Sequence, residues 1–233
     1  MSDDERKPST RATHLGRHPR RFLGAVNTPV FRATTMLFRT VSDLEKAARH
    51  EFDGIAYGLH GLPTVTDLQD AVASLEGGHA ALAVPSGLTA TTFPLLALLK
   101  PGDHLLVTDV VYGPTRRFCD HHMRRLGVAV DYYDPLVGAD IAARFRPETR
   151  IVFVESPGSL TFEVQDVRAI ANAAHAQGAF VVMDNTWATP LGFRAFDHGV
   201  DVFTVPGSKT SCLPWPTGRG NYLRNGQGPA YVP

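Results

Sequence analysis

Five short apolar runs of the sequence are each followed by a residue whose side chain can bind a ligand or take part in a reaction. In chain order these residues are Ser86, Tyr112, Glu155, Asp184 and Lys209. Apolar runs of this length predict buried strands, and in an open α/β sheet ligands bind outside the carboxyl ends of the strands. The sequence therefore predicts one sheet edge that combines an anion site, a flat aromatic face, a buried acid and a lysine.

Each of these residues also has a purely structural interpretation. Ser86 could cap the helix that follows it, and this is the better interpretation of Pro-Ser-Gly taken alone. Asp184 could cap a strand end, Tyr112 could belong to the core, and Lys209 could be an ordinary surface lysine. Their shared placement, however, suits pyridoxal phosphate. This cofactor needs a helix N-terminus for its phosphate, a stacking ring, an acid beside its pyridine nitrogen and a lysine for its aldehyde.

The apolar runs alternate with helical patterns along the chain. Strands are predicted at 80–84, 104–108, 128–132, 151–154, 179–183 and 202–205. Helices are predicted from Val41 onwards and at 64–76, 88–99, 114–126 and 167–177. Because the apolar runs do not alternate with polar residues, we expect helices to cover both faces of a largely parallel sheet. The predicted fold is therefore a three-layer α/β/α domain.

The composition is that of a globular protein without a strong electrostatic field. The 233 residues include 23 basic and 23 acidic side chains, and the formal net charge is +0. We therefore expect no binding of nucleic acid or of an anionic membrane surface. No apolar run approaches the roughly 20 residues that cross a bilayer, and the N-terminus lacks the apolar core of a secretory signal. Together with the two cysteines, these features predict a cytoplasmic location.

Sequence motifs for other ligands are absent. The chain has neither the glycine-lysine loop of nucleotide-binding P-loops nor a G-x-G-x-x-G sequence after a predicted strand. Cys119, His121 and His122 could suggest a metal site. Adjacent residues on a helix do not share a face, however, so an exposed polar helix is the better interpretation. We therefore predict no metal site.

Several longer stretches of the sequence resemble the Cys/Met metabolism family of pyridoxal-phosphate-dependent enzymes. The resemblance runs from about residue 11 to Lys209 and is carried by the stretches 24–29, 75–78, 134–140, 155–166 and 184–190. The stretch 155–166, Glu-Ser-Pro-Gly-Ser-Leu-Thr-Phe-Glu-Val-Gln-Asp, is the most specific. It favours the bacterial cystathionine β-lyase branch over the sulfhydrylases and γ-synthases of the same family.

The resemblance implies the large domain of fold type I, here incomplete and without the family's C-terminal domain. We expect an N-terminal arm and first helix at 1–50, a partial cofactor-binding large domain at 51–209, and an aberrant, disordered tail at 210–233. The match stops at Lys209, and the composition changes at the same point, because the tail has no acidic residue. We therefore expect a truncation or a frameshift just after this lysine.

The resemblance implies roles for three residues around the cofactor ring. Lys209 would hold the cofactor through its aldehyde and act as the catalytic base. Tyr112 would stack on the ring, and Asp184 would pair with the pyridine nitrogen. Lys209 and Tyr112 are thus the expected catalytic residues.

Four further residues are expected to bind the phosphate of the cofactor. Gly87 and Leu88 would contribute backbone N–H groups, and Ser208 would add a hydroxyl. Tyr57 would reach the phosphate of a neighbouring subunit, because family members build each site from two chains. The sequence departs from the family pattern nearby, since Leu59 stands where an arginine usually grips the phosphate.

The reaction implied by the resemblance is the α,β-elimination of L-cystathionine to homocysteine, pyruvate and ammonia, a step of methionine biosynthesis by transsulfuration. Intact family members are homotetramers, so a homo-oligomer is expected here. Two alternatives stay open. The chain could be a catalytically impaired, truncated remnant of that enzyme, or it could be a sulfhydrylase or γ-synthase of the same family.

Overall fold

The computed structural model describes residues 7–206 and 219–223, and seven strands in these residues form one sheet. The strands are β1 (Ala80–Val84), β2 (His104–Thr108), β3 (Ala129–Tyr133), β4 (Thr149–Glu155), β5 (Phe180–Asp184), β6 (Val202–Pro206) and β7 (Arg219–Leu223). The helices are α1 (Pro8–His14), α2 (Val41–Ala48), α3 (Pro63–Glu76), α4 (Gly87–Leu98), α5 (Gly113–Phe118), α6 (Val167–Ala176) and α7 (Thr189–Gly192). The strand order is β1-β7-β6-β5-β4-β2-β3.

Strands β2 to β6 are parallel, and β7 is antiparallel to both of its neighbours, β1 and β6. The first six strands therefore share one direction and place their carboxyl ends at the same edge. All six predicted strands form, and their ends differ from the predicted ones by at most two residues. The predicted α/β class is confirmed.

The two faces of the sheet carry separate apolar clusters. Successive side chains of a strand point to opposite faces, so Leu106 packs in the cluster that includes Ile170 of α6, whereas Leu105 packs with Leu95 of α4. Burial of one such side chain contributes about 1.5–3 kcal/mol. The prediction of a sheet covered by helices on both faces is therefore confirmed for the central strands. Strand β1, at one end of the sheet, is more exposed, with Leu82 on the surface.

The helices are short. The longest, α3, has 14 residues and ends at Glu76, as predicted, and Gly77 terminates it with a left-handed backbone conformation. No helix in the described part of the chain is long and apolar enough to cross a membrane. The helix predicted at 114–126 forms, but it is not a regular α-helix throughout, because α5 continues into a π-helical turn at Cys119–Met123 before the helix ends at Arg125. Both end residues of this turn are buried, so core packing decides the local geometry.

Strand β7 lies in a segment where the sequence pattern predicts no regular element. It fits between β1 and β6, and Leu223 pairs with Ala80 on one side and Val202 on the other. A central strand satisfies its backbone N–H and C=O groups on both sides, and this can stabilise a strand whose sequence lacks apolar alternation. The remaining residues of the predicted tail lie outside the described part of the chain.

A buried polar network ties the end of β4 to the neighbouring strands. The side-chain amide of Gln165 donates to the backbone oxygen of Glu155 at 2.7 Å and to the hydroxyl of Thr108 at 3.2 Å. The Tyr133 hydroxyl shares its single hydrogen between Gln165 Oε1 at 3.0 Å and the backbone oxygen of Phe153 at 3.1 Å. Strands β2, β3 and β4 are thus fixed to the loop that follows β4.

Removing the Tyr133 hydroxyl should weaken this network. We expect Tyr133→Phe to lower the free energy of unfolding by about 1–2 kcal/mol, because buried acceptors lose their donor. Urea unfolding followed by circular dichroism would measure the change. Tyr132→Phe is the matched control, since its half-buried hydroxyl donates only to Asp120 among the described residues. Equal losses in the two variants would contradict the importance of the buried network.

Candidate functional site

A cleft of about 400 Å³ opens at the carboxyl ends of the parallel strands. Its wall includes four of the expected cofactor-binding residues, Gly87, Leu88, Tyr112 and Asp184. The volume lies within the range of roughly 300–1,000 Å³ that is typical of small-molecule sites. The structure thus brings these four residues together, while their roles toward a ligand stay predictions.

The start of α4 forms one wall of the cleft. Ser86 Oγ accepts a hydrogen bond from the backbone N–H of Thr89 at 3.0 Å, so Ser86 caps this helix, as the tripeptide alone predicts. Gly87 and Leu88, the first two helical residues, line the cleft. The first turn contains no acidic residue, and the N–H groups of a first turn have no partner within the helix. This wall can therefore bind an anion such as a phosphate.

Tyr112 supplies an aromatic ring to the cleft and does not belong to the core. It immediately precedes α5, and 42% of its surface is exposed. Its backbone N–H donates to Glu155 Oε2 at 2.7 Å, which joins the loop after β2 to the end of β4. This backbone hydrogen bond therefore holds Tyr112 at the wall of the cleft.

Asp184 is the last residue of β5 and only 8% of it is exposed. Its Oδ1 accepts a hydrogen bond from the backbone N–H of Thr186 at 3.0 Å and another from the Thr186 hydroxyl. Two donors on one oxygen stabilise the ionised carboxylate and fix its orientation. Sequence reasoning missed Thr186, although a threonine two residues after an aspartate is a recognisable turn signal.

Glu155, at the end of β4, is a second acid in the cleft that sequence reasoning left without a role. It pairs in register with Asp184 on the adjacent strand. Burial, and then the nearby Asp184 carboxylate, raise the pKa of Glu155 to about 8, although the Tyr112 N–H acts in the opposite direction. Glu155 is therefore mainly protonated at neutral pH. Its position at the end of an apolar run was the sequence feature that could have identified it as a residue of the cleft.

Apolar side chains surround the mouth of the cleft. Leu160 and Phe162, in the loop after β4, and Trp187, in the loop after β5, line it and are largely exposed. The rings of Phe162 and Trp187 meet edge to face with their centroids 5.9 Å apart. This rim can shield a bound ligand from water.

Three of the expected site residues are not found in the cleft. Ser208 and Lys209 lie outside the described residues. Tyr57 is described, and its ring packs edge to face on His60 with the centroids 5.5 Å apart, but it does not line the cleft of its own chain. Leu59, which replaces the usual arginine, is 80% exposed. The contact of Tyr57 with a neighbouring subunit's phosphate stays a prediction.

The cysteine–histidine stretch does not form a metal site. Cys119 is completely buried, which raises the pKa of its thiol to about 12, whereas His121 and His122 are exposed. Across residues 7–206 and 219–223, no group of three or more histidine, cysteine or acidic side chains could hold a metal ion.

The described residues of the cleft fit pyridoxal phosphate. The N-terminus of α4 suits a phosphate, the Tyr112 ring suits stacking, and the carboxyl group of Asp184 is oriented by Thr186. Because Glu155 is mainly neutral, Asp184 is the acid of the cleft suited to pair with a protonated pyridine nitrogen. The donor set is therefore the one that this cofactor requires, apart from the lysine, which lies outside the described residues.

The family model of Cys/Met metabolism PLP-dependent enzymes matches residues 9–210. A putative cystathionine beta-lyase of Rhizobium johnstonii is 46% identical over 215 residues, which cover 92% of this chain and 52% of that protein. Cystathionine beta-lyase MetC of Escherichia coli is 40% identical over 201 residues, which cover 85% of this chain and 51% of that protein.

Other enzymes are similar as well. L-methionine gamma-lyase of Pseudomonas putida is 35% identical over 201 residues, which cover 86% of this chain and 50% of that protein. The crystal structure of metB from Corynebacterium glutamicum superposes with a TM-score of 0.85 at 27% identity and covers 97% of this chain and 57% of that one. The chain thus spans about half the length of the curated relatives it matches.

The raised pKa of Glu155 predicts a pH-dependent stability that Glu155→Gln should remove. Between pH 4.5 and about 8 the folded state keeps a proton that the unfolded state has lost, so this residue lowers stability as the pH rises. Over that window the variant should gain about 1–3 kcal/mol relative to the wild type. Urea unfolding at several pH values would measure the difference. Glu45→Gln, at an exposed position of α2, is the control, and parallel profiles for the wild type and Glu155→Gln would contradict the prediction.

Proposed function

Because the chain belongs to the Cys/Met metabolism family of PLP-dependent enzymes, we propose that its cleft holds pyridoxal phosphate for the α,β-elimination of L-cystathionine. The reaction cleaves the bond between Cβ and sulfur, consumes one water and gives homocysteine, pyruvate and ammonia. Two similar proteins that carry the name cystathionine beta-lyase support this substrate. The observation that carries the proposal is the meeting of Asp184, Tyr112 and the start of α4 in one cleft.

The phosphate and the ring are bound by different walls. Gly87 and Leu88 donate backbone N–H groups to the phosphate at the positive end of the α4 dipole. Ser208 adds a hydroxyl, an assignment that rests on the family pattern. Tyr112 stacks on the ring of the cofactor. The hydrogen bond from the Tyr112 backbone N–H to Glu155 sets the position of the tyrosine ring.

Asp184 controls the protonation of the cofactor. Pyridoxal phosphate, when bound, supplies an electron sink for the electron pair that remains when the Cα proton is removed. Asp184 holds a proton on the pyridine nitrogen, and Thr186 orients Asp184. The neutral Glu155 places no second negative charge beside it. Leu160, Phe162 and Trp187 exclude water from the mouth of the cleft.

Lys209 is the proposed base that takes the Cα proton and the residue that holds the cofactor. The other lysines of the sequence are Lys7, Lys46 and Lys100, and all three are exposed and away from the cleft. Lys209 follows Pro206, the end of β6, by three positions, and Val205 of this strand lines the cleft. The order of residues along the chain thus supports Lys209 over the other three.

The resemblance to the family also suggests a wider setting for the proposed reaction. We place the reaction in methionine biosynthesis by transsulfuration, in the cytoplasm, with the protein acting as a homo-oligomer in which Tyr57 reaches a neighbouring site. The zero formal charge supports a small-molecule substrate over nucleic acid or a membrane surface.

A second candidate is γ-elimination or γ-replacement by the same cleft. The similarity to L-methionine gamma-lyase of Pseudomonas putida favours this candidate. The sulfhydrylases and γ-synthases of the family belong to the same class. The products distinguish the candidates, because α,β-elimination of cystathionine gives pyruvate, whereas γ-elimination gives a four-carbon oxo acid.

Cofactor titration tests the site directly. We expect the purified full chain to bind pyridoxal phosphate and develop the visible absorption of a lysine-bound cofactor. Lys209→Ala should abolish this absorption, and Asp184→Asn should weaken binding about tenfold or more, because a charge-assisted contact is lost. Lys100→Ala, at an exposed position, is the control. The absence of absorption at saturating cofactor would favour the impaired remnant.

Product analysis tests the substrate. With L-cystathionine and pyridoxal phosphate, we expect the full chain to release pyruvate and homocysteine in equal amounts, and Lys209→Ala to release neither. Separation of the oxo acids by liquid chromatography and mass spectrometry would measure them. Release of 2-oxobutyrate, or methanethiol from methionine, would instead support the γ-lyase candidate.

A further inference from the structure

The side chain of Glu76 is completely buried at the C-terminal end of α3 and does not line the cleft. Among the described residues, neither of its carboxyl oxygens makes a hydrogen bond of full geometry. The location is also electrostatically unfavourable for a carboxylate, because the C-terminus of a helix is the negative end of its dipole. A buried polar group in such surroundings calls for a physical explanation.

The groups that face Glu76 belong to the segment after β5. The side-chain amide of Asn185 and the backbone N–H of Ala195 approach its carboxyl, and the charged neighbours are Arg194 and Asp197. Burial is the largest influence and raises the pKa of Glu76 to about 8. At neutral pH the group is therefore a neutral acid with one O–H donor. Arg194 also donates to the backbone oxygen of Glu76 at 3.4 Å, so the end of α3 is docked on this segment.

Asn185 connects Glu76 to the cleft. It directly follows Asp184 and is completely buried. Its backbone N–H donates to Thr204 of β6 at 2.9 Å, and its side-chain nitrogen donates to the backbone oxygen of Phe193 at 2.9 Å. Its Oδ1, however, is a buried acceptor without a donor among the described residues. Asn185 is also one of the groups that face Glu76, so the two buried side chains lie against each other.

We propose that Glu76 is a positioning residue of the cofactor site: packed against Asn185, its buried acid fixes the segment that holds Asp184 in the cleft. The assignment rests on the proposed function in so far as Asp184 meets the cofactor. A residue needed only for packing could be replaced by an apolar side chain of similar volume, often with a gain in stability. A positioning residue could not be replaced in this way.

Glu76→Met separates these roles, because it keeps the volume and removes the donor and acceptors. Hydrogen exchange of the full chain without added cofactor, followed by mass spectrometry, measures the segment itself. We expect amides in residues 185–195 to exchange about tenfold faster in Glu76→Met. Glu76→Gln, which is neutral and keeps a donor, should stay within about twofold of the wild type. Should Glu76→Met not fold, Glu76→Asp withdraws the acid by one methylene and should show the same acceleration.

Asp201→Asn is the matched control. Asp201 is also a buried acid, but it lies at the start of β6, where its Oδ2 accepts from Val181 N–H at 2.8 Å and lies 2.8 Å from His175 Nε2. This variant should lose stability without faster exchange in residues 185–195. Unchanged exchange in Glu76→Met, or equal acceleration in Asp201→Asn, would overturn the proposal.

Titration of the same proteins with pyridoxal phosphate links the segment to the site. We expect the dissociation constant to rise about tenfold in Glu76→Met and to stay within about twofold of the wild-type value in Glu76→Gln and Asp201→Asn. If the wild type does not bind the cofactor, the proposed function fails, and the exchange data alone decide the role of Glu76. If the wild type binds and Glu76→Met binds equally well, the positioning role fails while the proposed function stands.

Discussion

A carboxylate at the end of a buried strand is stable only where hydrogen-bond donors or cations compensate for its lost hydration. Asp184 stands at such a strand end, so the cleft must supply donors to it. Thr186 supplies two of them, because its backbone N–H and its hydroxyl both donate to Asp184 Oδ1. The strand that ends at Asp184 is fixed in turn by its pairing with β4 and β6. The parallel sheet therefore does more than collect functional residues at one edge, because it fixes the direction in which the acid points.

The same constraint explains why the other buried acids nearby are neutral. Glu155 in the cleft and Glu76 behind it both have a pKa raised to about 8, mainly by burial. Each neutral acid can take part in hydrogen bonds without adding negative charge next to Asp184. Keeping such groups costs stability as the pH rises, and proteins commonly accept such costs at functional sites. This cost is itself an argument that the two glutamates serve the site.

The strands of the sheet can be predicted well because each one is marked by the residues of its own short segment. The run at 104–108 is apolar on both faces, and such a run has few options other than a buried strand. The sequence also indicates which residues follow each strand, and three of them, Tyr112, Glu155 and Asp184, meet in the cleft. It predicts neither β7 nor the π-helical turn at Cys119–Met123, because pairing on both sides and core packing override local preference in these two places.

The roles of Glu155 and Glu76 could not be predicted for a related reason. A glutamate at a strand end or helix end looks like a solvated residue, and only the folded chain shows that both are desolvated and which groups face them. Thr186 is different, since its spacing from Asp184 is a local signal. The site residues that sequence reasoning finds are those expected to contact a ligand directly. The residues that hold them in place depend on contacts between distant parts of the chain.

The segment before α3 extends this argument to a second copy of the chain. Leu23, Val26, Val30 and Leu37 all expose most of their side chains to solvent. The segment is nevertheless anchored, because the Thr28 hydroxyl donates to the buried Asp67 of α3. An anchored segment with many exposed apolar side chains is typical of a surface that another chain covers. Tyr57 follows this segment and is away from its own cleft, and both features support the proposed homo-oligomer, in which Tyr57 would reach a neighbouring site.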